Sequence, residues 1–290
     1  MAEVMDIAKF KSTVSPDLCP GCGDFGVLTS LQKACVSVGL EPKDVLAVSG
    51  IGCSSNLPGF FGSYGMHTLH GRAVAVAQGA KFGNPDLNVI VTGGDGDGYG
   101  IGIGHFIHAM RRNIDITYIV MNNQIYGLTT GQCSPTTDLS TVTKSTPEGS
   151  IESPINPIEL ALVSGATFIA RGFSGAQDIL SETIAKAIKH KGFSLVDIFS
   201  PCVTYNKKNT YPWFRERVYS LQQENHDTSS MDAAMKRAGE WDARIPIGVF
   251  YDVDAPTYES QEPAYKFGSP AKQKLGLSAE DANALINSFK

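Results

Sequence analysis

The chain has 290 residues, 42% of them apolar and 18% charged, with a net charge of −5 at neutral pH. That length allows one large domain or two small ones, and the apolar fraction supports a packed core rather than disorder. The acidic balance argues against a nucleic-acid binder that works by neutralising phosphates, and no apolar run approaches the roughly 20 residues that span a bilayer.

The first residues lack the apolar centre of a secretory signal, so a cytoplasmic location with reduced thiols is expected. Cys19-Pro20-Gly21-Cys22 then precedes a helix expected over 26–38, which places Val27, Leu28, Leu31, Cys35 and Val38 on one stripe. Short runs rich in Val and Ile predict strands at Val45–Ser49, Asn88–Thr92, Ile116–Met121, Thr167–Ala170 and Ser194–Phe199. Their near-continuous apolar character suits a parallel sheet covered on both faces. Helices are expected between them, over 71–82, 103–112, 157–164 and 176–190. The alternation predicts a doubly wound, mostly parallel α/β fold over about residues 20–200, with right-handed crossovers that gather the strand-end loops on one edge.

After Cys202 the texture changes to a polar and aromatic stretch, followed by Pro256, Pro263 and Pro270 with little periodicity. The expected division is therefore an α/β domain over 1–202 and a C-terminal extension over 203–290 that packs on a partner subunit. A last helix is expected from about Ala279 to Phe289, with Ser278 as N-cap and Asp281 three residues on.

The strand at Asn88–Thr92 runs into Gly93-Gly94-Asp95-Gly96-Asp97-Gly98. A glycine-rich turn between strand and helix lets backbone N–H groups approach a phosphate. Two aspartates there would repel a bare anion, and a bridging Mg²⁺ resolves the conflict by taking carboxylate and phosphate oxygens together. The next strand ends at Asn122-Asn123-Gln124-Ile125-Tyr126-Gly127, so an Asn side chain and a loop carbonyl can complete the coordination. The stretch contains no G-x-G-x-x-G, and a calcium-loop register starting at Asp95 would need glutamate where Phe106 stands.

Gly94-Asp95-Gly96, followed after 25 residues by Asn122-Asn123, resembles the thiamine diphosphate signature. The resemblance implies that Asp95, Asn123 and the Ile125 carbonyl hold Mg²⁺, with Gly94, Gly96, Asp97, Gly127, Leu128, Thr129, Cys53 and Ser54 around the cofactor. Cys53 and Cys202 each follow a strand, so they are expected on the same edge as the Cys19–Cys22 pair. Four converging thiolates suit Zn²⁺ or a [4Fe–4S] cluster alike.

Taken together, CPGCGDFG, SGIGCSSN, GGDGDGYG, NNQIYGLTTGQ and SPCVTYN are similar to the β subunits of 2-oxoacid:ferredoxin oxidoreductases over about residues 17–210. The resemblance implies a [4Fe–4S] cluster on Cys19, Cys22, Cys53 and Cys202. It also implies oxidative decarboxylation of a 2-oxoacid to acyl-CoA and CO₂, with coenzyme A as co-substrate and electrons passed to ferredoxin. 2-Oxoglutarate is favoured over pyruvate or a broad range. Thiamine chemistry further needs a pyrimidine-binding domain that a chain of this length lacks, so a partner α subunit is expected. Asn56, Leu128, His70 and Arg72 are substrate candidates. Two other readings stay open: a non-redox thiamine lyase with a zinc staple, and a non-catalytic, zinc-stabilised scaffolding subunit. Lys207, Lys208, Arg215 and Arg217, interleaved with aromatic residues, suggest contact with the partner or an acidic electron carrier. The His105–His108 pair lacks a third ligand in the sequence, and Cys35 reads as a core residue.

Overall fold

In the computed structural model, which describes residues 6–274 and 276–290, eight strands form one sheet. They are β1 (Val45–Ser49), β2 (Tyr64–His67), β3 (Asn88–Gly94), β4 (Thr117–Asn122), β5 (Phe168–Phe173), β6 (Ser194–Phe199), β7 (Val218–Ser220) and β8 (Ile245–Asp252), in the spatial order β2-β1-β3-β4-β6-β5-β8-β7. The first six run parallel, and β8 joins β5 in the opposite direction. The parallel, doubly wound expectation therefore holds, and all five expected strands are present.

Seven longer helices accompany the sheet: α1 (Asp24–Ser37), α2 (Ala73–Gly83), α3 (Ile103–Arg112), α4 (Pro157–Val163), α5 (Gln177–Lys189), α6 (Met231–Ala238) and α7 (Ala279–Ser288). Alternation of side chains along each strand assigns the faces. Val45 and Ala47 of β1 pack with α1 and α5, beside Val27, Leu31 and Ile184. Leu46 and Val48 point the other way, into the layer holding Ala77, Phe106, Ile158 and Ala234 of α2, α3, α4 and α6. β4 and β6 are buried at every position, which is why their sequences read as unbroken apolar runs.

The change of texture at residue 203 is not an edge of the core. β7 and β8 extend the same sheet, and Leu221, Ala234 and Phe250 belong to the cluster that contains Val48 and Phe106. β8 escaped the sequence reading because Pro246 and Gly248 interrupt its apolar run. Its ladder to β5 reaches only as far as Gly248, while Ile245 and Pro246 face β7, so the missing N–H of Pro246 breaks no bond to β5. β2 escaped because it is an exposed four-residue edge strand with no apolar pattern. The aromatic residues of 205–217 are also partly internal. Phe214 is buried and stacks on Phe199 at 4.5 Å, with Trp213 edge-on to it.

Ser278 does cap α7, accepting from the Asp281 N–H at 3.0 Å. The Asp281 carboxylate takes the Ser278 hydroxyl rather than reaching back to the backbone, since it is one methylene shorter than the glutamate of a full capping box. No residue of α7 is buried.

Candidate active site

Parallel strands carry the ends of β1, β3, β4 and β6 to one edge, and each end delivers a functional loop there. The cysteine loops meet through a close backbone approach. Gly23 lies against the chain after β6, donating its N–H to the Pro201 carbonyl at 3.2 Å. A Cβ on Gly23 would come within 2.6 Å of the Ser200 carbonyl carbon, so only glycine lets the Cys19–Cys22 turn sit beside Cys202. Cys53 arrives on the turn after β1.

All four of Cys19, Cys22, Cys53 and Cys202 line one cavity of about 150 Å³, together with Asp24, Asn56, Asn123, Gly127 and Leu128. Among the described residues, no three His, Cys, Asp or Glu side chains lie close enough together for a single ion. A zinc ion needs sulfurs about 2.3 Å from one centre, so these sulfurs share a cavity without closing into such a shell. Burial raises the pKa of Cys22, with Asp24, Cys202 and Cys53 adding repulsion. Cys53 is raised by burial, then by Asp24, Cys202 and Cys19. Four soft donors that open onto one cavity, too spread to close on a single ion, fit an iron–sulfur cluster.

The second centre is built around Asp95, at the end of β3. Its carboxylate is buried, and Oδ2 accepts from Ser134 Oγ at 2.5 Å and Thr136 Oγ1 at 2.6 Å. Burial pushes its pKa up, while those hydroxyls and the Asn123 N–H pull it down. A buried carboxylate without a counter-charge is costly, and a divalent cation at its other oxygen relieves that cost. Asn123 Oδ1 accepts from the Ile125 N–H at 3.0 Å, holding the loop in a tight turn. Asn206 fixes the Asn123 carbonyl at 3.0 Å. Ser54 Oγ lies 3.2 Å from where a Gly94 Cβ would stand, so the β1 and β3 turns are in contact.

Gly127 joins the two centres. A Cβ placed there would lie 3.7 Å from Cys202 Sγ, 3.8 Å from Cys53 Sγ and 3.9 Å from Asn123 Nδ2. Two of the sulfurs and the Nδ2 end of the Asn123 amide, whose Oδ1 is the expected Mg²⁺ ligand, thus surround a single point.

Other expected site residues are placed differently. Asp97 takes a positioning role: its Oδ1 accepts from the Ile51 N–H at 3.0 Å and the Gly71 N–H at 2.7 Å, tying the β1 turn to the start of α2. His70 Nδ1 stands 3.3 Å from the same carboxylate, and exposed Arg72 bonds the Gly71 carbonyl at 3.3 Å. Neither lines the cysteine cavity. Thr129 is exposed and bonds Gln132. Gly96 packs under Tyr126, whose hydroxyl donates to the Gly96 carbonyl at 3.1 Å. Lys208 pairs with Asp138 at 3.0 Å, Lys207 bonds the Val203 carbonyl, and Arg217 bonds the Trp213 carbonyl at 2.9 Å and Glu216 at 3.1 Å, so three of the four basic residues are engaged within the chain.

The sequence reading missed Asp24. It is 3% exposed, faces the cysteine cavity and accepts from Ser200 Oγ at 2.5 Å. Burial lifts its pKa to about 6 against the bonds from Ser200 and Cys22. Nothing in the order CGD marks that aspartate as buried. Ser134 and Thr136 were missed for the same reason, since a polar loop carries no periodicity.

Comparisons with known proteins identify the family. The family described as thiamine pyrophosphate enzyme, C-terminal TPP binding domain, matches residues 50–198. A second family, the C-terminal part of the pyruvate ferredoxin oxidoreductase beta subunit, matches residues 202–267. The two abut where the sequence texture changes. The β subunit of 2-oxoacid:ferredoxin oxidoreductase 1 from Aeropyrum pernix is 43% identical, over 97% of this chain and 92% of that one. A 2-oxoglutarate synthase subunit from Methanocaldococcus jannaschii is 39% identical, over 83% and 88%. The solved 2-oxoglutarate:ferredoxin oxidoreductase from Magnetococcus marinus superposes with a TM-score of 0.90 at 43% identity, covering 98% of this chain and 96% of that one. A thiamine-binding core with a ferredoxin-oxidoreductase C-terminal segment, matched along nearly its whole length, makes this chain a member of the 2-oxoacid:ferredoxin oxidoreductase β-subunit family.

Proposed function

We propose that this chain is the thiamine diphosphate- and cluster-binding subunit of a CoA-acylating 2-oxoacid:ferredoxin oxidoreductase acting on 2-oxoglutarate. The observation that carries the reading is the surround of Gly127, where Cys53, Cys202 and Asn123 lie within 4 Å of one point. Asp95, Asn123 and the Ile125 carbonyl would hold Mg²⁺, and Cys19, Cys22, Cys53 and Cys202 a [4Fe–4S] cluster. Thiamine diphosphate, when bound, supplies the electron sink for decarboxylation, and the cluster accepts electrons one at a time.

The chain's own residues bind and position. Asp97 fixes the glycine turns, and Asn206 and Asn123 hold the loop after β4. Leu128, 56% exposed at the cavity, and Asn56 are placed to contact a substrate. Asn56 offers an amide and no charge, so a carboxylate of the acid must find its cation elsewhere, on the partner α subunit. That subunit would also supply the pyrimidine-binding domain, and the exposed helix α7 is part of the surface assigned to it. 2-Oxoglutarate is preferred because the Methanocaldococcus and Magnetococcus relatives are named for it. The open sulfur arrangement favours a cluster over a zinc staple, which separates this reading from a non-redox lyase or a scaffolding subunit.

The test is anaerobic co-purification with the partner chain, followed by visible spectroscopy while 2-oxoacids and coenzyme A are added singly. A brown chromophore bleached by 2-oxoglutarate is expected. Zinc without iron on elemental analysis, or a chromophore indifferent to every 2-oxoacid, would overturn the proposal.

A further inference from the structure

Behind the cofactor centre, between the ends of β4, β5 and β6 and helices α4 and α6, lies a second cavity of about 240 Å³. Its floor is polar and buried. Arg171, on β5, is 2% exposed, with its guanidinium held between the rings of Phe199 and Phe250 at 5.4 and 5.2 Å. Its Nε and one terminal nitrogen have no hydrogen-bond partner among the described residues. Asp197, on β6, is fully buried. Its Oδ1 accepts from Tyr99 and Asn122, but its Oδ2 has no partner among them and stands 3.9 Å from Arg171 Nε. Gln124 is 3% exposed and donates to the Thr136 carbonyl and to Asp138, leaving its Oε1 likewise without a described partner.

Buried polar groups are nearly always satisfied, so a cluster of unpaired donors and acceptors around a cavity describes what should fill it. The unpaired set is two N–H groups of a cation and two oxygen acceptors. A carboxylate answers the guanidinium. An O–H or N–H on the same molecule answers Asp197 and Gln124. Phe199, Trp241 and Ile155 supply an apolar wall for a short carbon chain. A volume somewhat below the usual range of about 300–1,000 Å³ for ligand sites suits a small metabolite rather than a nucleotide.

We propose that this cavity is a binding site for a small hydroxy or amino acid, held by its carboxylate on Arg171 and by its O–H or N–H donor on Asp197 and Gln124. The site is separate from the cysteine cavity and stands whether or not the preceding functional reading does. It is also one hydrogen-bond chain from Asp95: Asn122 donates to Asp197, and the Thr136 hydroxyl lies within hydrogen-bond reach of both Asn122 Oδ1 and Asp95 Oδ2. Occupancy can therefore bias the geometry of Asp95.

Isothermal titration of the assembled complex tests this with L-lactate, L-alanine and L-glutamate, and with propionate as a carboxylate lacking the second donor. At least one of the first three should bind with 1:1 stoichiometry per chain, and propionate at least tenfold more weakly than the tightest of them. Arg171→Met should abolish binding, but it removes a buried ion-pair partner and can unfold the chain. Ala238→Leu, on the cavity wall, fills the space while leaving the polar floor intact, and it should weaken binding at least tenfold with the melting temperature kept. No heat with any of the three acids would mean that the cavity holds only water, and the proposal fails. Undiminished affinity in a folded Ala238→Leu variant would place the ligand elsewhere and overturn it equally. Equal affinity for propionate would refute the role of Asp197 and Gln124.

Discussion

Replacing Asp95 by Asn separates the cost of a buried charge from its use. The carboxylate is 1% exposed, and one of its oxygens already accepts two hydroxyls, from Ser134 and Thr136. An Asn side chain can offer its single oxygen to both, so the local bonds survive. Without ligands the change removes an uncompensated charge from a dry site. The melting temperature should therefore hold or rise, with a change within about 2 kcal/mol. With Mg²⁺ and thiamine diphosphate at a hundredfold excess over Kd, the wild-type complex gains about 2.7 kcal/mol. For a chain of this size that corresponds to a rise of about 5 °C. The variant should show almost none of it, because an amide cannot replace the anionic oxygen that Mg²⁺ requires. Differential scanning fluorimetry of the complex, with and without both ligands, reads the two effects side by side. A variant that keeps the ligand-induced rise would show that Asp95 is not the anchor. One that melts several degrees lower without ligands would show that the carboxylate is structural.

Two glycine substitutions should have opposite signs. Gly50→Ala would drive a methyl closer than 3.0 Å to the Asp97 carboxylate, which the Ile51 and Gly71 amides hold in place, and should cost about 3 kcal/mol in urea unfolding. Gly79→Ala, on the exposed side of α2 with no described atom within 4 Å, should stabilise by about 1 kcal/mol; equal effects would refute the packing argument. Burial raises the pKa of Asp197 to about 6 against the pull of Arg171. A carboxyl raised in this way holds its proton more firmly folded than unfolded. Its contribution is therefore full below about pH 4 and is lost as pH rises through about 6, a loss of about 3 kcal/mol. Unfolding of Asp197→Asn should lack that decline, and parallel stability curves from pH 4 to 7 would rule it out.

The five strands with continuous apolar runs were legible because burial on both faces leaves that pattern in any parallel sheet. The glycine-aspartate loop and the Asn pair were legible because their spacing measures one helix and one strand. β2, β7 and β8 were not. β2 is exposed and carries no apolar pattern, β7 is only three residues long, and β8 pairs with a strand far along the chain, with Pro246 tolerated only because the β5 ladder stops at Gly248.

Chemistry and order are written in the chain itself: which residues could bind sulfur-loving or oxygen-loving metals, and that each follows a strand. Proximity and burial come only with packing. Gly127 becomes a meeting point, Asp24 and Asp197 become buried acids, and Arg171 becomes a buried cation with two nitrogens lacking hydrogen bonds among the described residues, because segments up to 176 residues apart pack together. The physical reason is that solvent exclusion belongs to the packed whole. No local pattern in the chain records how much water a side chain will lose.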